Sequence, residues 1–302
     1  GIRDVAVTGL QTCALPISTG TTNDYTFADQ PTVTGLSSSA GPLVGGSTLT
    51  ITGTSFLDDA AVTFGSTPAL GVVVTSGTEL TVTVPAHVAG TVDVVVSTVA
   101  GSSVPSGASE YRYAEIPVVT TISPVEGPST GNTLVTISGS HLLAATTVYF
   151  GATAGTIVTN TDSRLTVRTP IHAAESVDVT VVTAGGTSPV AAAGSYRFVA
   201  GPVVSSLSVA SGTWKGGTTV TITGSVLVGA TAVKFGATDA ASFSVNNDGT
   251  ITAVSPAHAV GVVDVTVTTV GGTSSVSSAS KFTYYVPTPV VTAVSPSYGL
   301  LA

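Results

Sequence analysis

The sequence predicts an all-β protein made of tandem two-sheet β-sandwiches, with about seven strands in each. Three observations predict it. The chain repeats itself: GGSTLTITGTSFLDDAAVTFG, GNTLVTISGSHLLAATTVYFG and GGTTVTITGSVLVGATAVKFG align, and their Phe-Gly pairs at Phe64, Phe150 and Phe235 are spaced 86 and 85 residues apart. Within each copy, apolar and polar residues alternate at period two, and no helical period of useful length appears. Composition agrees. Thr, Ser, Val, Gly and Ala dominate, and only 8% of residues are charged, against roughly 25% in an average soluble domain. Branched side chains suit a pleated surface, and Gly and Ser suit turns.

Each copy reads in the same order. A proline opens it, at Pro31, Pro117 and Pro202. The strand TLVTISG follows in the second copy, where Leu134, Val135 and Ile137 mix with Thr133, Thr136 and Ser138. Its glycine recurs as Gly53, Gly139 and Gly224 and ends the strand, where a bulge or tight turn needs no Cβ. The Phe-Gly strand supplies a core plug at Phe64, Phe150 and Phe235. SVDVTVVT alternates Val177, Val179 and Val181 with Asp178, Thr180 and Val182, and EYRY, SYRF and KFTYY close the copies. Turn sequences such as GPSTGN, TNTDS, PIHAAE and AGGTSP separate the strands. The linkers AEIP, VAGP and VPTP are short, and proline removes freedom from each. The expected domains are therefore residues 31–115, 116–200 and 201–286. NDYTF in residues 19–30 reads as the end of an earlier copy, and PVVTAVSPSYG in residues 287–302 as the start of a later one. At least five units are expected in the whole protein.

SPVEGPSTGNTLVTISGSHLLAATTVYFG, followed by PIHAAESVDVTVVTAGGTS, resembles the IPT/TIG domain of bacterial surface proteins. The resemblance implies an early-set immunoglobulin-like β-sandwich. It implies no single function, because such domains serve as spacers in adhesins, as modules beside carbohydrate-active enzymes, and in receptors and transcription factors. The third copy departs at SVASGTWKGG, which lacks the Ser-Pro and Gly-Pro pairs of the second.

Residues 1–18, GIRDVAVTGLQTCALPIS, match nothing that follows and hold the single cysteine, Cys13. They lack the sustained apolar run of a signal peptide, and LPISTG has the wrong spacing for a sortase signal. They resemble the translation of a sequencing-library adaptor, agreeing from Val7 to Ile17 except at Leu10, where the adaptor frame gives valine. They are excluded from the fold reasoning. With no methionine in the chain and repeats cut at both ends, a fragment assembled from mixed bacterial DNA is expected.

The net charge is −8 and basic residues are scattered, which argues against nucleic acid as a partner. No apolar run is long enough to span a membrane, so no membrane insertion of this stretch is expected. His87, His172 and His258 recur after Pro in one turn. One histidine per copy cannot assemble a metal site, so each reads as a solvated turn residue, and His141 joins no cluster. Asp93, Asp178 and Asp264 recur in Val-Asp-Val and read as solubilising, edge-blunting charges. NNDGT, residues 246–250, lacks calcium-loop spacing and reads as a hairpin turn. Trp214, the single tryptophan, lies in the loop SGTWKGG beside Lys215. It is the one candidate ligand contact, with local packing as the plainer reading. No catalytic, cofactor-binding or metal-binding residues are expected, because nucleophile elbows, phosphate loops, HExxH and recurring carboxylate pairs are lacking.

These features lead to a non-enzymatic stalk or adhesive array, extracellular or on a cell surface, whose partners are neighbouring repeats and surface glycans or other proteins. The alternative is an accessory carbohydrate-binding region of a larger secreted enzyme. A filament subunit built by strand exchange is the third reading.

Overall fold

A computed structural model of the chain describes residues 28–190 and 194–293, together with 295 and 298. The expectations for residues 1–18, for Cys13 and for the strand at residues 23–27 lie outside the described residues, as does most of 294–302. The chain divides into two compact units between Glu115 and Ile116. The first unit contains one sandwich and the second contains two.

The first sandwich shows the template. Its strands are β1 (Thr32–Leu36), β2 (Ala40–Pro42), β3 (Thr48–Thr54), β4 (Ala61–Phe64), β5 (Thr67–Pro68), β6 (Leu70–Ser76), β7 (Glu79–Thr83), β8 (Gly90–Thr98), β9 (Gly101–Ser102) and β10 (Glu110–Ala114). One sheet runs β1-β3-β7-β6. The other runs β2-β10-β8-β4-β5, with β9 also paired to β8. All pairs are antiparallel except β2 with β10, which is parallel. The second and third sandwiches repeat this order strand for strand. The seven strands expected per copy are those of four residues or more. The three further pieces, β2, β5 and β9, are two or three residues long, too short for alternation to reveal them. The third copy keeps its short parallel strand, Ser211–Thr213 against Thr283 to Tyr285, despite lacking the proline pairs.

The two outer strands of each four-stranded sheet are bulged and the two inner ones are regular. β1 slips register after Val33, and its counterparts slip after Val119 and Val204. On the opposite edge, β6 slips after Leu70 and Val74, and its counterparts after Ile157 and Val245. β3 and β7 pair without interruption, as do their counterparts.

Gly53, Gly139 and Gly224 lie within a strand rather than in a turn, and the reason for glycine there is close approach. A Cβ on any of them would sit 1.9 Å from a backbone carbonyl oxygen of the neighbouring bulged strand, that of Thr32, Val118 or Val203. The bulge lets this carbonyl swing in, and only a glycine accepts it.

The core of each sandwich lies between its sheets. Phe64, Phe150 and Phe235 are fully buried plugs, each meeting the first inward aromatic of the closing strand edge-on: Tyr111 at 5.3 Å, Tyr196 at 5.4 Å and Phe282 at 5.2 Å between ring centroids. The second inward aromatics, Tyr113, Phe198 and Tyr284, pack beside them. Such edge-to-face pairs add about 0.5–1.5 kcal/mol to the burial itself.

Candidate functional surface

One end of each sandwich brings together two turns that carry the recurring histidines and, in the third, Trp214. The glycine turn after β2 approaches the Pro-x-His turn backbone to backbone. Gly131 has φ +76, and a Cβ on it would lie 2.4 Å from the Pro170 carbonyl oxygen; Gly45 and Gly216 repeat the arrangement against Pro85 and Pro256. The same contact supplies a hydrogen bond. The His87, His172 and His258 amides donate to the Leu43, Ser129 and Trp214 carbonyls at 2.9, 3.0 and 2.9 Å.

This geometry corrects the reading of the histidines as solvated turn residues. Each ring is partly buried and stacked on the second inward aromatic: His87 on Tyr113 at 4.9 Å, His172 on Phe198 at 4.8 Å, His258 on Tyr284 at 5.0 Å. Each Nδ1 lies 2.9–3.1 Å from the next residue's carbonyl oxygen (Val88, Ala173 or Ala259), so the ring donates there and is held in one tautomer. The histidine is a lid on the aromatic stack.

The aspartates are also placed differently from expectation. Asp93, Asp178 and Asp264 lie on β8 and its counterparts, which are interior to their sheets, so they blunt no edge. Asp264 accepts from Lys281 Nζ at 2.9 Å and from Ser280 Oγ at 3.1 Å, and the Lys281 hydrogen bond, aided by Ser280, holds its carboxyl below the usual carboxylate range. NNDGT forms the expected hairpin, with Asn247 Oδ1 accepting from the Gly249 amide at 2.8 Å. Among the described residues no group of three or more His, Cys, Asp or Glu could hold a metal ion. No helix among them is long and apolar enough to cross a membrane.

Trp214 lies in the turn after Ser211–Thr213 and is 43% exposed. Its amide donates to the Tyr285 carbonyl at 3.0 Å, and Lys215 Nζ lies 5.9 Å from its ring centroid, a cation–π contact. Leu43 and Ser129 hold the corresponding places in the first and second sandwiches. The sequence singled out Trp214 but missed what lies beside it: Tyr285, 44% exposed at the end of the closing strand.

The buried phenols titrate high. Burial pushes the Tyr113 hydroxyl up to about 12, with Tyr111 beside it adding to the effect, and Tyr113 donates to the Pro85 carbonyl at 2.9 Å. Burial raises Tyr111, Tyr196 and Tyr284 as well, offset in part by the hydroxyls of Ser47, of Thr133 and Thr169, and of Ser255.

Sheet order, aromatic stack and repetition together define a tandem immunoglobulin-like repeat protein. The IPT/TIG domain model matches residues 31–113, 117–198 and 202–284, most of the chain. The chain belongs to the IPT/TIG domain family. Several solved structures are similar to the chain at low identity. The full extracellular region of plexin A4 is 17% identical over 93% of this chain, with a TM-score of 0.45, and the chain spans 26% of that structure. A surface glycan-binding protein from a complex xyloglucan utilization locus in Bacteroides uniformis is 21% identical over 64% of this chain and 56% of its own, with a TM-score of 0.27. Invasin, a bacterial integrin-binding protein, is 13% identical over 85% of this chain and 60% of its own, with a TM-score of 0.25. No curated protein matches the chain.

Proposed function

We propose that this chain is a non-enzymatic spacer region of an extracellular or cell-surface protein, a run of sandwiches that holds another module away from its anchor. The domains are taken as residues 31–115, 116–200 and 201–286. The observation that carries the reading is how the chain enters each sandwich. The entering segment lies on that sandwich's own Gly-containing hairpin: Gln30 hydrogen-bonds the Ser102 carbonyl, a Cβ on Gly186 would touch Ile116, and one on Gly271 would lie 1.9 Å from the Ala200 carbonyl oxygen. A linker seated on the domain it enters restricts the angle at which the chain arrives. Arrays of this kind gain reach by adding units that contact mainly their neighbours. Small-angle scattering of the chain should give an elongated particle whose longest dimension grows with each added repeat; a compact particle would sink the proposal.

A second reading, an accessory glycan-binding region of a secreted enzyme, is favoured by one observation, the half-exposed Trp214 beside Lys215. It requires retention on a polysaccharide that weakens in Trp214→Ala.

A further inference from the structure

One end of the third sandwich carries five exposed apolar side chains whose places the second sandwich fills with smaller residues. Trp214, Tyr285, Val260, Val262 and Val286 are between 43% and 62% exposed. They are contiguous by register. Tyr285 pairs with Thr213, the residue before Trp214, and Val262 pairs with Thr283, a register that, continued two residues, sets Val260 opposite Tyr285. The second sandwich has Ser129, Val199, Ala174, Ser176 and Ala200 at these places.

Part of that end of the second sandwich is covered by the third, which follows it within the same compact unit, while Ala174 and Ser176 stay exposed. Pro128, which corresponds to Thr213, faces the hairpin of the third sandwich, and a Cβ on Gly272 would lie 4.0 Å from it. The Ala200 carbonyl reaches Gly271 of the same hairpin, and Val199 and Ala200 are partly covered. On the third sandwich their counterparts, Tyr285 and Val286, are exposed.

The chain after Val286 names an occupant. PVVTAVSP repeats the opening of the earlier copies, PVVTTISP at Pro117. In those copies the second valine is buried in its own sandwich, Val119 at 3% exposure and Val204 at 5%, whereas Val291 is 77% exposed. Its apolar side chain has the pattern of a first strand and no core to enter.

We infer that the Trp214–Tyr285 patch is the seat of a following repeat, whose glycine hairpin packs on it as the Gly271–Gly272 hairpin packs at the end of the second sandwich. The larger side chains give this joint more apolar contact than the one before it. The exposure of Trp214 is then that of an uncovered joint. The inference rests on the spacer reading and adds a partner to it, a further domain of the same fold.

The single tryptophan reports the outcome directly. Residues 1–290 are continued into a second copy of residues 119–200, which brings a complete repeat and no tryptophan. Circular dichroism and a melting curve establish that the added repeat is folded. Acrylamide quenching of Trp214 should then fall severalfold relative to the original chain, and its emission should shift to the blue. Tyr285→Ser, or Gly185→Asp in the added copy alone, should each restore quenching while the added repeat stays folded. Unchanged quenching beside a folded fourth repeat overturns the joint, and so does a blue shift induced in the original chain by soluble gluco- or xylo-oligosaccharides. Scattering of the same two proteins separates the readings: an elongated particle with an unchanged Trp214 leaves the spacer standing without this joint, and a compact one removes the spacer itself.

Discussion

The second and third sandwiches use one template with the tyrosine hydroxyl in different places. The closing strand of the second presents Tyr196 and then Phe198 to the core; the third presents Phe282 and then Tyr284. The first carries tyrosine at both, Tyr111 and Tyr113. All six rings are buried, and the Phe64, Phe150 and Phe235 plugs meet them at nearly the same distances. Aromatic volume is therefore fixed at both positions, while a hydroxyl is optional at either. The hydroxyls are also not equivalent. Tyr113 has the Pro85 carbonyl as acceptor, whereas the buried Tyr196 and Tyr284 hydroxyls lie beside Thr and Ser side chains without an aligned partner.

That comparison breaks hardest at the plug. Phe150→Ala should cost about 3–5 kcal/mol, the usual range for a buried phenylalanine. Hydrogen exchange should show the second sandwich opening while the first remains protected as an internal reference. Gly139→Ala should cost about 1–3 kcal/mol by overpacking, since the strand must move off the Val118 carbonyl. Gly107→Ala, where a Cβ meets nothing within 4 Å, should change stability by less than about 0.5 kcal/mol. The phenols separate the sandwiches more finely. A phenol whose pKa is raised on folding stabilises the fold fully below the unfolded value of 10.0 and loses that contribution as pH climbs through the folded value, about 12 for Tyr113. The first sandwich, with two such groups, should open at lower alkaline pH than the other two. Tyr113→Phe should narrow the gap, and site-resolved exchange between pH 10 and 12 would show it.

Much of this was legible in the residues. The Phe plugs and the alternating valines follow from repetition and period two, and Val179 and Val181 are buried as alternation requires. Gly53 and its counterparts were visible as recurrences, but their reason was not, because the carbonyl they accommodate belongs to another strand. Strand order is equally invisible to alternation, which is why the aspartates were assigned to an edge. The histidines show what a better reading would use. Each stacks on an aromatic that follows it by 26 residues in all three copies, a fixed offset that local turn chemistry gives no reason to look for.

The bulged outer strands have a consequence for this chain at high concentration. The edge strands TVTGL, LGVVVTS, VVTTIS, TIVTN, VVSSL and SFSVNN contain no charged residue and no lysine. A straight edge of this composition is a template for strand addition by a neighbouring molecule. Here the register slips kink both margins of every four-stranded sheet. In a chain this poor in charge, backbone geometry takes over the guard against aggregation that lysines supply elsewhere, and crowded copies can lie side by side without fusing into a common sheet.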